Sequence, residues 1–144
     1  MSHNVVFKDV KFTDIQALRA AVQELARSGV NIKLSDKKTF RTYGSNPNTC
    51  DMVIELPGCV HDIGLQRQKD GTLTPIFDPY DHNISANVGL PQYCDYNSPG
   101  RHIGKLVQTY VACKTEKEAV NQGYSTTREF DKKTGTLSVV VEGY

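Results

Sequence analysis

DMVIELPGCVHDIGLQRQKDGTLTPIFDPYD, Asp51–Asp81, is the stretch on which the fold of this chain turns. Met52 to Leu56 is apolar at both parities apart from Glu55, as expected of a central strand covered on both faces. Pro57-Gly58 ends it. Ile63 and Leu65, then Leu73, Ile76 and Phe77, read as two strands joined at Asp70-Gly71. Asp-Gly between β-like runs is a strong hairpin signal. A two-residue type I′ turn there sets Leu65 across from Ile76. Pro75 has no amide to give to a ladder, so its strand is expected to meet an edge or a local break there.

Upstream, alternation from Val5 to Phe12 slips by one residue between Phe7 and Val10, which reads as a strand with a bulge. Thr13-Asp14-Ile15-Gln16 matches a capping box with Thr13 as N-cap. Ile15, Leu18, Val22 and Leu25 then recur at helical spacing, and Gly29 supplies a left-handed stop, predicting a helix over 13–27. Val30–Leu34 reads as a strand, with Thr39–Tyr43 pairing back on it. Residues 44–48 are loop by composition.

Downstream, 82–100 is rich in Asn, Gly, Pro and Ser and shows no periodicity, so it reads as one long loop. Ile103, Leu106, Val107, Tyr110, Val111 and Cys113 form the apolar face of a second helix running from about Arg101 to Gln122. Thr115-x-x-Glu118 offers an alternative in which a new helix starts after a break. Ser125–Phe130 and Leu137–Val141 make a last hairpin about residues 131–135, with Leu137, Val139 and Val141 on one face. The order β-α-β-β-β-β-β-α-β-β predicts an α+β fold over 1–144, two helices on one face of a mainly antiparallel sheet.

The chain has 144 residues, enough for one core without disulfides or metal, and a formal net charge of +1 with both signs interspersed. That balance argues against nucleic acid as a partner. No apolar run reaches the roughly 20 residues of a membrane helix, and MSHNVVFKDVKF lacks the pattern of a signal peptide. The expected compartment is the cytosol, with Cys50, Cys59, Cys94 and Cys113 reduced.

Several of these features occur together elsewhere. Met1-Ser2-His3, Ile15 and Leu18 followed by Ala20-Ala21 and Leu25, Asp62-Ile63-Gly64, Asp70-Gly71, Gln108-x-Tyr110 and Gly123-Tyr124 resemble a small family of conserved open reading frames of cyanobacteria, algal chloroplast genomes and some phages. The resemblance leaves 35–50 and 84–100 uncovered. It implies a small α+β protein of unassigned function and carries over no catalytic residue.

Three constellations have chemistry to offer. His61, Asp78, Asp81 and His82 sit where the hairpin ends converge, and imidazole with carboxylates suits Zn, Mn or Fe; the competing reading is that turns favour Asp and His for backbone reasons. Arg101, His102 and Lys105 follow Ser98-Pro99-Gly100 at a helix start, where free amides and the dipole favour a phosphate-bearing ligand. The alternative is a solvated helix end. Tyr80, Tyr93 and Tyr96 lie in or beside the long loop, either to stack on a ligand or partner or to pin the loop down.

No G-x-S-x-G, H-E-x-x-H or catalytic cysteine context is present, and no motif names a cofactor. The leading expectation is a non-catalytic binding or accessory protein that meets a second copy or another protein through a sheet edge. The alternatives are capture of a phosphate-bearing small molecule at 98–105 and a metal-dependent enzyme built on the His/Asp cluster.

Overall fold

A computed structural model describes residues 4–42, 48–95 and 98–143. In chain order it contains β1 (Val5–Val6), α1 (Ile15–Arg27), β2 (Lys33–Ser35), β3 (Thr39–Phe40), β4 (Asn48–Thr49), β5 (Met52–Glu55), β6 (Ile63–Arg67), β7 (Leu73–Phe77), α2 (His82–Val88), α3 (Pro99–Asn121), β8 (Ser125–Asp131) and β9 (Thr136–Glu142). The architecture is α+β, as expected. A five-stranded antiparallel sheet runs β1-β7-β6-β5-β2, and β3–β4 and β8–β9 are separate ribbons. Ile54, Ile63, Leu65 and Phe77 face Leu18, Val22 and Leu25 of α1 and Leu106 and Tyr110 of α3 in one core.

The Asp70-Gly71 hairpin forms in a different register from the one expected. Gly64 pairs with Ile76 and Leu65 with Pro75. A type I′ turn needs positive φ at Asp70, and among the described residues only glycines have it. Gly71 alone takes φ 86°, its amide bonded to Gln68 O, so the loop spans three residues and the pairing shifts by one. Opposite Pro75 the neighbouring β1 pairing breaks. Phe7 N bonds Pro75 O, the chain turns, and Phe12 rejoins at Leu73.

Among the described residues the expected pairing of Thr39–Tyr43 with Val30–Leu34 is not found; Tyr43 and residues 44–47 of the expected loop lie outside them, and Asn48 belongs to β4. β2 pairs with β5, Leu34 opposite Ile54, while β3 pairs with β4. This frees Phe40 to cross the second sheet face, where a Cβ on Gly64 would stand 2.6 Å from its ring. Val53, on that face, is buried too, so β5 is covered on both sides as its composition requires.

The N-cap of α1 is Asp14, not Thr13; its carboxylate accepts the amides of Gln16 and Ala17 at 3.0 and 3.1 Å. Thr13 is held instead by Tyr110 of α3. Tyr110 Oη accepts the Thr13 and Asp14 amides at 2.8 and 3.0 Å, and its ring packs edge-on to Phe12. Gly29 closes the helix as expected, with φ 108° and a Val30 N to Leu25 O bond.

The stretch 82–100 is not one long loop. Asp81 accepts the Asn83 amide at 2.8 Å and starts α2, which buries Ile84 and Val88. α3 starts earlier than expected, at Pro99 after the Ser98 cap, and runs unbroken through Thr115. Its irregularity is at Ile103, with φ −135°. There Leu90 N inserts and bonds the carbonyls of Gly100 and Arg101, and the Leu90 side chain packs on Gly104.

Tyr110→Phe keeps the ring and removes only the acceptor of two amides. Both amides are only part-buried, so water can replace the lost acceptor in part, and each lost bond costs about 0.5–1.5 kcal/mol. Unfolding free energy from urea titration is expected to fall by about 1–3 kcal/mol with an unchanged circular dichroism spectrum.

Candidate functional site

The hairpin ends bring two of the four candidate metal ligands together. His61 Nδ1 lies 2.6 Å from Asp81 Oδ2, both side chains largely buried. Asp78 is buried and turns back on its own chain, Oδ1 accepting the Tyr80 amide at 2.9 Å. His82 opens α2 and points to solvent. The helix start directs Asp81 inward and His82 outward, so the expected cluster is not assembled. Among the described residues no group of three or more His, Cys, Asp or Glu side chains is placed to hold a metal ion.

The cysteines near this region do not resemble nucleophiles. Cys59 accepts a hydrogen bond from Asn87 Nδ2 at 3.3 Å. Burial, with Asp81 and Asp62 nearby, pushes its thiol up. Burial likewise raises Cys50 and Cys113. A nucleophilic cysteine needs the opposite shift.

Asp62, which the sequence places both in the hairpin motif and beside the His/Asp constellation, is the most heavily bonded carboxylate described. Arg41 grips it through Nε at 2.9 Å and Nη2 at 2.7 Å, and Leu56 N donates at 2.9 Å. Burial alone pushes Asp62 up, but the Arg41 bonds, the Leu56 amide and the Arg41 charge outweigh it and hold the carboxyl below its ordinary range. A cleft of about 520 Å³ opens here, between β3 and β5. Its charged walls are spent on one another, Arg41 on Asp62 and Lys37 on Glu55 at 2.6 Å.

The phosphate constellation is divided by the kink in α3. Arg101 Nη1 donates to Pro91 O at 3.3 Å. His102 is buried against the rings of Phe7 and Phe77, with centroids 6.2 and 6.3 Å away. Ser98 spends its hydroxyl on Gly100 N and its carbonyl on Arg101 N. Tyr80 stands at the Asp78–Asp81 turn, its amide bonded to Asp78, and Tyr96 lies outside the described residues.

Lys105 and Tyr93 do meet. They line one cavity of about 280 Å³ with Leu90, Gln92, Phe130 and Leu137, and Gln108 and Thr109 form its base. The Tyr93 ring lies on Gly135 at the hairpin tip, against the position a Cβ would take. Gln108 holds that tip in place, donating from Nε2 to Gly135 O and accepting at Oε1 from Leu137 N, both at 2.8 Å. The wall is mainly apolar. Lys105 is exposed and among the described residues has no ion-pair partner, so its ammonium is the uncommitted charge beside this cavity. The hairpin's part in the cavity had one sequence signal, the polar Gln108 set between Val107 and Tyr110 in an apolar face.

Comparison with known proteins adds no relative: no family model, no curated protein and no solved structure matches the chain.

Arg41→Ala leaves a buried carboxylate without its cation and is expected to cost about 2–4 kcal/mol. Asp14, through Lys117, Glu55, through Lys37, and Asp62 are all held below their ordinary values in the fold. The stability they contribute is complete above about pH 5 and is lost progressively as pH falls through the ordinary carboxylate range and below it. Denaturation midpoints from pH 7 to 2 should therefore hold level and then drop in wild type. The drop should be shallower in Arg41→Ala, which has already lost the Asp62 share.

Proposed function

We propose that this chain is a non-catalytic binding protein for a small anion with an apolar body, held in the cavity between the 90–93 segment, α3 and the β8–β9 tip. The observation that carries this reading is Lys105, an unpaired cation at a mainly apolar pocket already shaped by Tyr93, Leu90, Phe130 and Leu137. Few convergent polar groups in an apolar concavity is the usual make-up of a small-molecule site. At about 280 Å³ it lies just under the roughly 300–1,000 Å³ of drug-sized sites, so its occupant is small.

The anion it favours is a carboxylate more than a phosphate. Phosphate recognition draws on several donors, whereas Arg101 and His102 are engaged elsewhere and one lysine remains. The raised thiols of Cys50, Cys59 and Cys113 support a reading without covalent catalysis.

The likeness to the open-reading-frame family of cyanobacteria, plastids and phages stands as a proposal of the same kind. It rests on the sequence alone; in the fold its residues hold structural posts, Asp62 in the Arg41 clasp, Gly64 under Phe40, Gly71 in the turn, Gln108 and Tyr110 on α3.

Thermal melts with benzoate and hexanoate, with inorganic phosphate for comparison, test the site. Ligand at a hundred times its Kd adds about 2.7 kcal/mol, a rise in Tm of roughly 9 °C for a chain of 144 residues. The carboxylates are expected to raise Tm and phosphate to do so less. Lys105→Ala should abolish the rise without lowering the unliganded Tm. No shift with either carboxylate, or an equal shift in Lys105→Ala, rejects the assignment.

A further inference from the structure

The last two strands stand apart from the main sheet. β8 and β9 pair from Ser125↔Glu142 to Asp131↔Thr136, and among the described residues neither outer edge meets another strand. A two-stranded ribbon is marginal alone, and this one is steadied by α3 on one face. The Gln108 bond shows how its edge is oriented. Leu137 N donates to Gln108 Oε1 and not to β8, so the main-chain groups of Leu137, Val139 and Val141 point away from β8. Gln108 occupies the first of these. Those of Val139 and Val141 are open.

Beside that edge runs an apolar groove of about 260 Å³, walled by Val107, Val111 and Ala112 of α3 and by Leu137 and Val139 of β9. Val111 and Val141 are 51% and 45% exposed. A long, apolar, open edge strand is a template for pairing with another chain.

We infer that a second copy of this chain occupies the edge, β9 pairing antiparallel with the other β9 about Val140 to give a four-stranded sheet β8-β9-β9-β8. This register sets Val139 of one copy opposite Val141 of the other, twice, and each such pair exchanges two N–H···O bonds. Val140 meets its own counterpart, and Ser138 meets Glu142, so no like charges oppose. Leu137 keeps its bond to Gln108; a register centred on Val139 would compete for that amide.

The other edge is a poorer template. β8 directs the main-chain groups of Thr126, Arg128 and Phe130 outward; self-pairing about Arg128 or Glu129 sets like charges face to face, and the register about Thr127 avoids this but sets Thr126 opposite Arg128, with no apolar pair. The two-fold about Val140 brings the Val107–Val111 grooves of both copies together on one side of the joined sheet, an isologous interface of the commonest symmetry.

Sedimentation velocity and native mass spectrometry of the whole chain decide it. The wild type is expected at twice the chain mass of 16.0 kDa. Val141→Pro deletes an outward amide and no bond to β8, and Val111→Lys puts a charge in the groove at an exposed position. Both are expected to be monomeric with wild-type circular dichroism. Thr126→Pro, the matching change on the β8 edge, should leave the dimer intact. If Val141→Pro fails to fold, Val111→Lys decides. A monomeric wild type overturns the inference, as does a dimer that survives both β9-side substitutions.

Discussion

Two side chains on α3, Gln108 and Tyr110, hold this molecule together in opposite directions. Residues two apart on a helix point about 200° from one another. Tyr110 turns into the core and takes the amides that precede α1, while Gln108 turns out and pins the β8–β9 tip through Gly135 O and Leu137 N. α1 covers the sheet because α3 grips its start, and the last hairpin has a fixed seat because the same helix grips its turn. Ion pairs strengthen both attachments at the other end of the helix. Lys117 reaches Asp14 at 2.8 Å, and Arg128 bridges Glu116 and Glu24 at 2.7 Å each. Those carboxylates hold the Arg128 guanidinium well above its usual range.

The same helix shapes the candidate ligand cavity through its fault. A regular helix would spend the Gly100 and Arg101 carbonyls on the amides of the next turn. Here Leu90 N takes them, Ile103 leaves helical geometry, and the 90–93 segment is drawn against α3. That insertion brings Tyr93 over the hairpin tip and faces Leu90 towards Lys105. It also explains why the polar groups of a helix start that resembles an anion site in sequence are engaged within the chain. Its first amides are satisfied by Ser98, and Arg101 is pulled towards Pro91.

Much of the fold was readable from local chemistry, and the misreadings were of two kinds, local choices between near-equivalent signals, such as Thr13 or Asp14 as the N-cap, and contacts made from afar. Period-3.6 apolar spacing located α1 and most of α3, and Gly29 and Gly123 marked their ends because only a residue tolerant of positive φ fits there. The register at Asp70-Gly71 was misjudged because Asp-Gly serves both a two-residue and a three-residue loop, and only the sign of φ at Asp70 separates them. The partner of β3 was misjudged because Phe40 follows the vacancy over Gly64, a fact about the far side of the sheet. α2 was hidden because seven residues carry too little periodicity to be recognised. In the candidate site Lys105 and Tyr93 were visible as residue types. Their cavity was not, since Phe130 and Leu137 arrive from a hairpin some thirty residues away.

The division between fold and site bears on what a family relationship would mean. On the proposed membership in the open-reading-frame family, the shared residues that are described do structural work: Asp62 binds Arg41, Gly64 admits Phe40, Gly123 ends α3, and Gln108 and Tyr110 hold its two sides. Shared residues of that kind transmit a scaffold. The uncovered stretches, 35–50 and 84–100, are where the cavities acquire their walls. Lys37, Phe40 and Arg41 line the larger cleft, and Leu90, Gln92 and Tyr93 line the smaller. In the larger, Lys37 and Arg41 are met by Glu55 and Asp62. In the smaller, residues 90–93 bring only apolar and neutral groups, and Lys105 of α3 brings a charge with no ion pair among the described residues. On the proposed reading, the 84–100 stretch would shape what the cavity admits and Lys105 would set the charge it favours.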